Sequence, residues 1–126
     1  MRRTVAGIVA GLIVWLVVAT IVNLLFRAFW PGYTEVELAM KFTLAMLIGR
    51  LLLGALSSLC AGFAAAWIAK GNGSASILLG VLLTILFIPI HYHLWGNFPL
   101  AYHLAFLLSL MPVTLLGARL QRAWLS

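Results

Sequence analysis

Leu51 to Ala69 reads LLLGALSSLCAGFAAAWIA: no charge from end to end, with Arg50 immediately before it and Lys70 immediately after. As a helix these residues rise about 28 Å, close to the ~30 Å of hydrocarbon in a bilayer. The stretch is also crowded with small side chains, from Gly54, Ala55, Ser57 and Ser58 through Ala61 and Gly62 to Ala64, Ala65, Ala66 and Ala69. A helix that faces lipid has no use for so many small residues. A helix gripped by neighbours does, because small residues let backbones approach. The stretch is therefore expected to be a membrane span and the packing centre of the fold.

The rest of the chain leaves little room for another class. Of 126 residues, 65% are hydrophobic and 8% charged, whereas a soluble domain is about 25% charged and needs that polarity to cover its surface. The length allows four spans of about 20 residues and no separate soluble domain. The formal net charge of +6 comes from residues at span ends, not from a basic stripe among polar residues, so nucleic acid is excluded as a partner and lipid phosphate is expected. Cys60 is the single cysteine, which rules out an internal disulfide, and it reads as a small apolar filler. Arg2 and Arg3 precede an apolar run to Phe26 that is longer than a signal-peptide core and has no small-residue cleavage site after it, so it is read as a retained first span.

The expected fold is an all-α membrane protein, with four transmembrane helices over about 4–26, 44–69, 75–95 and 100–118 paired as two hairpins. Gly7 and Gly11 form a GxxxG pair on the first helix and mark a close contact. Trp30-Pro31-Gly32-Tyr33 turns the chain after Arg27. Thr34-Glu35-Val36-Glu37 fits a capping box, and Glu37 with Lys41 an i, i+4 ion pair, so an interfacial or protruding helix start is expected at 34–43. A helix running on to Ala69 would be ~52 Å long, and Gly49 is the expected joint within it, with one long helix bent there expected over a clean break. Lys70 to Ser74 is a turn, Pro89 and Pro112 lie inside helices three and four, and LLLGAL (51–56) is echoed by LLGARL (115–120). Five basic residues (Arg2, Arg3, Lys70, Arg119, Arg122) face three (Arg27, Lys41, Arg50) on the other side, which puts both termini in the cytoplasm. Trp30, Tyr33, Trp95 and Tyr102 then form an outer aromatic belt, with Trp67 and Trp124 at the inner one.

One polar layer stands out. Counting outward from the Gly96–Pro99 turn brings His93 and His103 to similar depth on facing helices; His91 is nearby, and Arg50 and Asn23 lie close to the same ends of their own spans. Ionisable residues within membrane spans are rare and often mark ligand sites, so Asn23, Arg50, His91, His93 and His103 are the candidate ligand-binding residues; the simpler alternative is that the histidines hydrogen-bond headgroups at the interface and Arg50 snorkels to lipid phosphate. His91 and His93 are about 200° apart on a helix and cannot both face one core. No carboxylate adjoins them to orient an imidazole on a metal, so haem or a metal is an open alternative, not the expected cofactor. Arg50 shares a helical face with Gly54, Ser57, Ala61 and Ala65, which points it at other helices. The chain has no Asp, no GxxxxGK[ST], no HExxH and no GxSxG, and so no catalytic residues are assigned.

The expected role is that of a non-catalytic protein of a cell membrane, by default a prokaryotic inner membrane. It would self-associate or dock to a larger membrane complex through the small-residue face of span two, with Gly7, Gly11, Gly54, Ser57, Ser58, Ala61, Gly62 and Ala65 as the packing residues. Two alternatives differ in class: a small transporter or channel with an outer polar vestibule, and a haem- or metal-binding redox subunit using the histidines.

Overall fold

A computed structural model describes residues 2–35, 44–70, 74–93, 96 and 98–125. Four helices carry nearly all of them, and no strand occurs among the described residues: α1 (Arg2–Phe29), α2 (Leu44–Ala69), α3 (Ser74–His93) and α4 (Leu100–Leu125). All four are long and apolar enough to cross a membrane, which points to a multi-pass membrane protein. Helix α4 continues well past Ala118, where a count of span length stops, because Arg119, Leu120, Gln121 and Arg122 are good helix formers whether or not they lie in lipid. Helix α2 runs unbroken through Gly49. Val36 to Thr43, with the Glu37 half of the capping box, the Glu37–Lys41 pair and most of the expected interfacial segment, lies outside the described residues, as do Trp95 and the centre of the Lys70–Ser74 turn.

Two local devices shape the ends of α1 and α2. Gly32 has φ +80°, and the Tyr33 amide donates to the Trp30 carbonyl at 3.1 Å. With Pro31 at the second position and Gly32 at the third, this is a type II turn, which needs a residue that tolerates positive φ where Gly32 sits. At the far end of α2, Lys70 adopts φ +47° and its amide closes on the Ala66 carbonyl at 3.0 Å, a left-handed cap on a residue other than glycine.

Helix α2 packs most extensively on α1 and α4, while α3 packs mainly on α4. The buried residues of α2 form a wide face: Leu47, Leu53, Gly54, Ser57, Ser58, Ala61, Gly62, Ala65, Ala66 and Ala69 among them. Helix α1 presents a narrow stripe, Thr4, Gly7, Gly11 and Trp15, spaced three or four apart. A Cβ on Gly7 would stand 2.7 Å from the Ala65 carbonyl oxygen, and one on Gly11 would strike Leu79 and crowd the Ala61 carbonyl. The second edge of α2 meets α4 as closely. A Cβ on Gly62 would collide with the Thr114 carbonyl, and one on Gly117 with the Leu59 carbonyl. All eight expected packing residues are buried, and their neighbours are other helices of the same chain.

The α2–α4 contact has a fixed register. Arg50 meets Tyr102, Gly54 meets Phe106 and Gly62 meets Thr114, each 52 positions apart, so the two helices run parallel. In that register 51–56 opposes 103–108, and the sequence echo at 115–120 falls toward the other end of α4. Those two segments are not equivalent places in the fold. Three buried aliphatic hydroxyls bond within their own helix: Ser57 donates to the Leu53 carbonyl at 2.7 Å, Ser58 to Gly54 at 2.8 Å and Thr114 to Leu110 at 2.6 Å. Such internal pairing is what a medium without water demands.

Candidate functional site

The type II turn after α1 folds the chain back over α2. Trp30 lies on Gly49, where a Cβ would come within 2.9 Å of the indole, and Phe26, Trp30 and Tyr33 stack their rings at centroid distances of 5.3 to 5.9 Å. Tyr33 is thereby turned inward and fully buried. Its hydroxyl donates to Asn23 Oδ1 at 2.7 Å and accepts from Arg50 Nη1 at 2.8 Å. From the other side Arg50 Nε donates to the Tyr102 hydroxyl at 3.4 Å, a long bond. Asn23 on α1, the turn, Arg50 on α2 and Tyr102 on α4 thus form one chain of hydrogen bonds.

Helix α3 joins through the histidines. His91 and His103 are both buried, with their Nδ1 atoms 2.6 Å apart, so one ring donates and the other accepts. His91 also lies against Phe106 and Tyr102, at ring centroid distances of 4.8 and 6.0 Å. Four of the five candidate residues, Asn23, Arg50, His91 and His103, therefore converge at one level of the bundle. His93 does not: it is exposed, and the facing pair is His91 with His103, where depth counting favours His93. Rotation about α3, not depth, decides between them. Among the described residues no group of three His, Cys, Asp or Glu side chains is placed to hold a metal ion.

Tyr33 and Tyr102, expected in a headgroup belt, are buried members of this network. Each bonds Arg50, and sequence position alone does not distinguish a boundary tyrosine that turns out from one that turns in. A cavity of about 280 Å³ opens beside Arg50. It is lined by Trp15, Ala19, Thr20 and Asn23 of α1, Arg50 and Leu53 of α2, Phe87 of α3, and Tyr102 and Phe106 of α4. Trp15 lies two turns, about 12 Å, further into the bundle than Asn23. Its indole N–H donates to Ser58 Oγ at 3.0 Å, and its ring contacts Phe87 at 4.8 Å between centroids. The cavity thus has a polar end at Arg50 and Asn23 and an aromatic floor. Arg50 is its one charged residue among the described lining residues.

Compared with protein-family models, curated proteins and solved structures, the chain matches none.

The two histidines of α3 give a direct check of this geometry. His93→Ala, on an exposed position, is expected to change stability by less than about 0.5 kcal/mol. His91→Ala leaves a buried histidine on α4 without its cross-helix bond and is expected to cost about 1–3 kcal/mol. Thermal unfolding of the two variants in mild detergent measures the difference, and equal midpoints would refute the His91–His103 pairing.

Proposed function

We propose that this chain is a small multi-pass membrane protein that receives a solute in the cavity beside Arg50, the vestibule of a transporter or channel. One observation carries the reading: a membrane-helix arginine stands at the wall of an interhelical cavity, with tyrosines from two other elements holding its guanidinium in place. An arginine there is expensive to bury and easily spared if the only need is packing. Here it is held in one orientation, which suits binding better than snorkelling to lipid phosphate.

The reading takes α1 with α2 and α3 with α4 as two hairpins, both termini in the cytoplasm and the cavity toward the outer face. The charge count supports that orientation, with five basic residues on the terminal side against three. It locates the protein in a cell membrane, by default the inner membrane of a prokaryote. Flux of small ions and polar solutes into proteoliposomes tests it. Wild-type protein is expected to make the vesicles permeable to at least one solute, and Arg50→Ala to reduce that flux about tenfold or more. Vesicles as tight as protein-free ones would sink the proposal.

Assembly with a second copy or a larger membrane complex is the second reading. It is favoured by the outward side of α1, where Val5, Ala6, Val9, Ala10 and Ile13 line a shallow apolar groove. The small-residue face of α2 supports it less, since α1 and α4 already cover that face.

A further inference from the structure

The two halves of α3 are held to the bundle very differently. Between Ser74 and Leu83 five residues are buried (Ala75, Ser76, Leu79, Gly80 and Leu83), whereas between Thr84 and His93 only His91 is. We propose that the C-terminal half of α3 is a gate on the cavity beside Arg50, latched by the His91–His103 bond and hinged between Gly80 and Pro89. The gate goes beyond the vestibule reading and does not need a solute to cross the membrane.

The anchoring comes first. The N-terminal half of α3 is fixed on two sides: Gly7 and Gly11 bring α1 against Ala75 and Leu79, and Gly80 lies on Met111 of α4. Beyond Leu83 the helix turns outward, with Ile85, Leu86, Ile88 and Ile90 about half exposed and Tyr92 81% exposed. Among the described residues two side chains turn back into the bundle. One is Phe87, partly buried, its ring 4.8 Å from that of Trp15 and 5.2 Å from that of Phe106. The other is His91, bonded to His103. Ring contacts slide past one another, whereas a hydrogen bond is directional and is either made or broken. Between membrane helices such a bond shifts an equilibrium by about 3- to 30-fold, enough to hold a gate and little enough to release it.

The hinge is written into the same stretch. The Thr84 hydroxyl donates to the Gly80 carbonyl at 2.9 Å, a bond that bends a helix where it competes with the backbone. Pro89 has no N–H to give the Ile85 carbonyl and crowds it with its ring. Sharp bends in helices occur at such points. They divide the anchored half from a lever of ten residues, about 15 Å long.

The cavity lies where that lever acts. Helices α1 and α3 meet closely at Gly7 and Gly11, and further along Ala19 and Thr20 of α1 and Phe87 of α3 line the cavity. Swinging the lever off α4 takes Phe87 out of the wall. Arg50 on α2 and Tyr102 and Phe106 on α4 stay in place. The cavity then opens sideways, between α1 and α3, toward the lipid.

Pulsed electron paramagnetic resonance on protein in nanodiscs measures the movement. With Cys60→Ala as background, nitroxides are attached through Tyr92→Cys on the lever and Leu52→Cys on α2, both exposed positions. The unaltered latch is expected to give one main distance with a minor longer one. His91→Phe keeps a ring beside Phe106 and removes the bond, and is expected to raise the ratio of long to short distance about 3- to 30-fold. Pro89→Ala with Thr84→Val straightens the hinge and is expected to abolish the longer distance, alone or combined with His91→Phe. His93→Ala, on the same lever but exposed, is expected to change nothing. Equal distributions in all variants, or the same shift from His93→Ala as from His91→Phe, would overturn the gate. Should His91→Phe not fold, the straightened variant decides, and a distribution as wide as with the native hinge overturns it. A lever that moves in protein that passes no solute would end the transport reading and leave the gate standing. Solute flux with one fixed distance throughout would do the reverse.

Discussion

Gly62→Val is expected to destroy the folded bundle, costing more than about 3 kcal/mol, and not merely to loosen an oligomer. The reason is what a side chain there would meet. A Cβ on Gly62 runs into the carbonyl carbon and oxygen of Thr114 and comes close to its Cα, all of them backbone of α4. Overpacking a core usually costs about 1–3 kcal/mol because side chains move aside. A helix backbone has no such freedom, so α2 and α4 must separate, and the parallel register that sets Arg50 against Tyr102 and Gly54 against Phe106 is lost with the contact. Gly117→Val should be as severe, since its Cβ meets the Leu59 carbonyl from the other helix. Gly54→Ala should be milder, because the obstacle is the edge of the Phe106 ring at 2.7 Å, which has a side-chain torsion to spend. Gly96→Ala, with nothing within 4 Å, should be nearly neutral. Thermal unfolding in mild detergent ranks the series. An intact monomer in Gly62→Val whose oligomer size alone changed would return this face to assembly with another copy.

That ranking also marks how far the sequence carries. Four apolar helices and a small-residue face on α2 are legible because hydropathy and residue size act locally, and the bilayer sets the length of each helix. What covers the small face is not legible. Gly7 on Ala65 and Gly62 on Thr114 are pairings between distant segments, and the same stripe would serve a second copy equally well. The polar level was legible by depth, since residues equally far from a connection tend to meet in a bundle. The choice of His91 over His93 was not, because it turns on the rotation of α3 about its axis. Tyr33 escaped for a different reason. Its inward turn depends on the type II geometry of Pro31-Gly32 and on the space that Gly49 leaves for Trp30. Tyr102 depends on the 52-residue offset between α2 and α4, which no periodicity within either helix encodes.

Trp15→Ala is expected to be the other severe change, at about 3–5 kcal/mol, the range for removing a large buried aromatic side chain. Trp15 is 5% exposed and sits where α1, α2 and α3 meet: bonded to Ser58, in ring contact with Phe87, and part of one buried cluster with Ala61, Ala65, Leu79, Leu83, Phe106 and Leu110. Removing it takes away contacts with three other helices at once, a loss of packing in the middle of the bundle. Packing matters more here than in a soluble core, since lipid tails are as apolar as the side chains and burial alone gives helices little reason to associate. Trp15→Phe separates the two contributions. It keeps an aromatic ring but loses part of the indole together with the bond to Ser58, the bond alone being worth about 0.6–2 kcal/mol in a membrane interior. Ser58→Ala removes the same bond from the other side, so the double variant with Trp15→Phe should be little worse than Trp15→Phe alone. Unfolding midpoints of the four variants in mild detergent provide the test. If Trp15→Ala unfolded no more readily than Trp15→Phe, the hydrogen bond, and not the ring, would be what holds α1 to the rest of the bundle, and the aromatic floor of the cavity would have no structural cost to its removal.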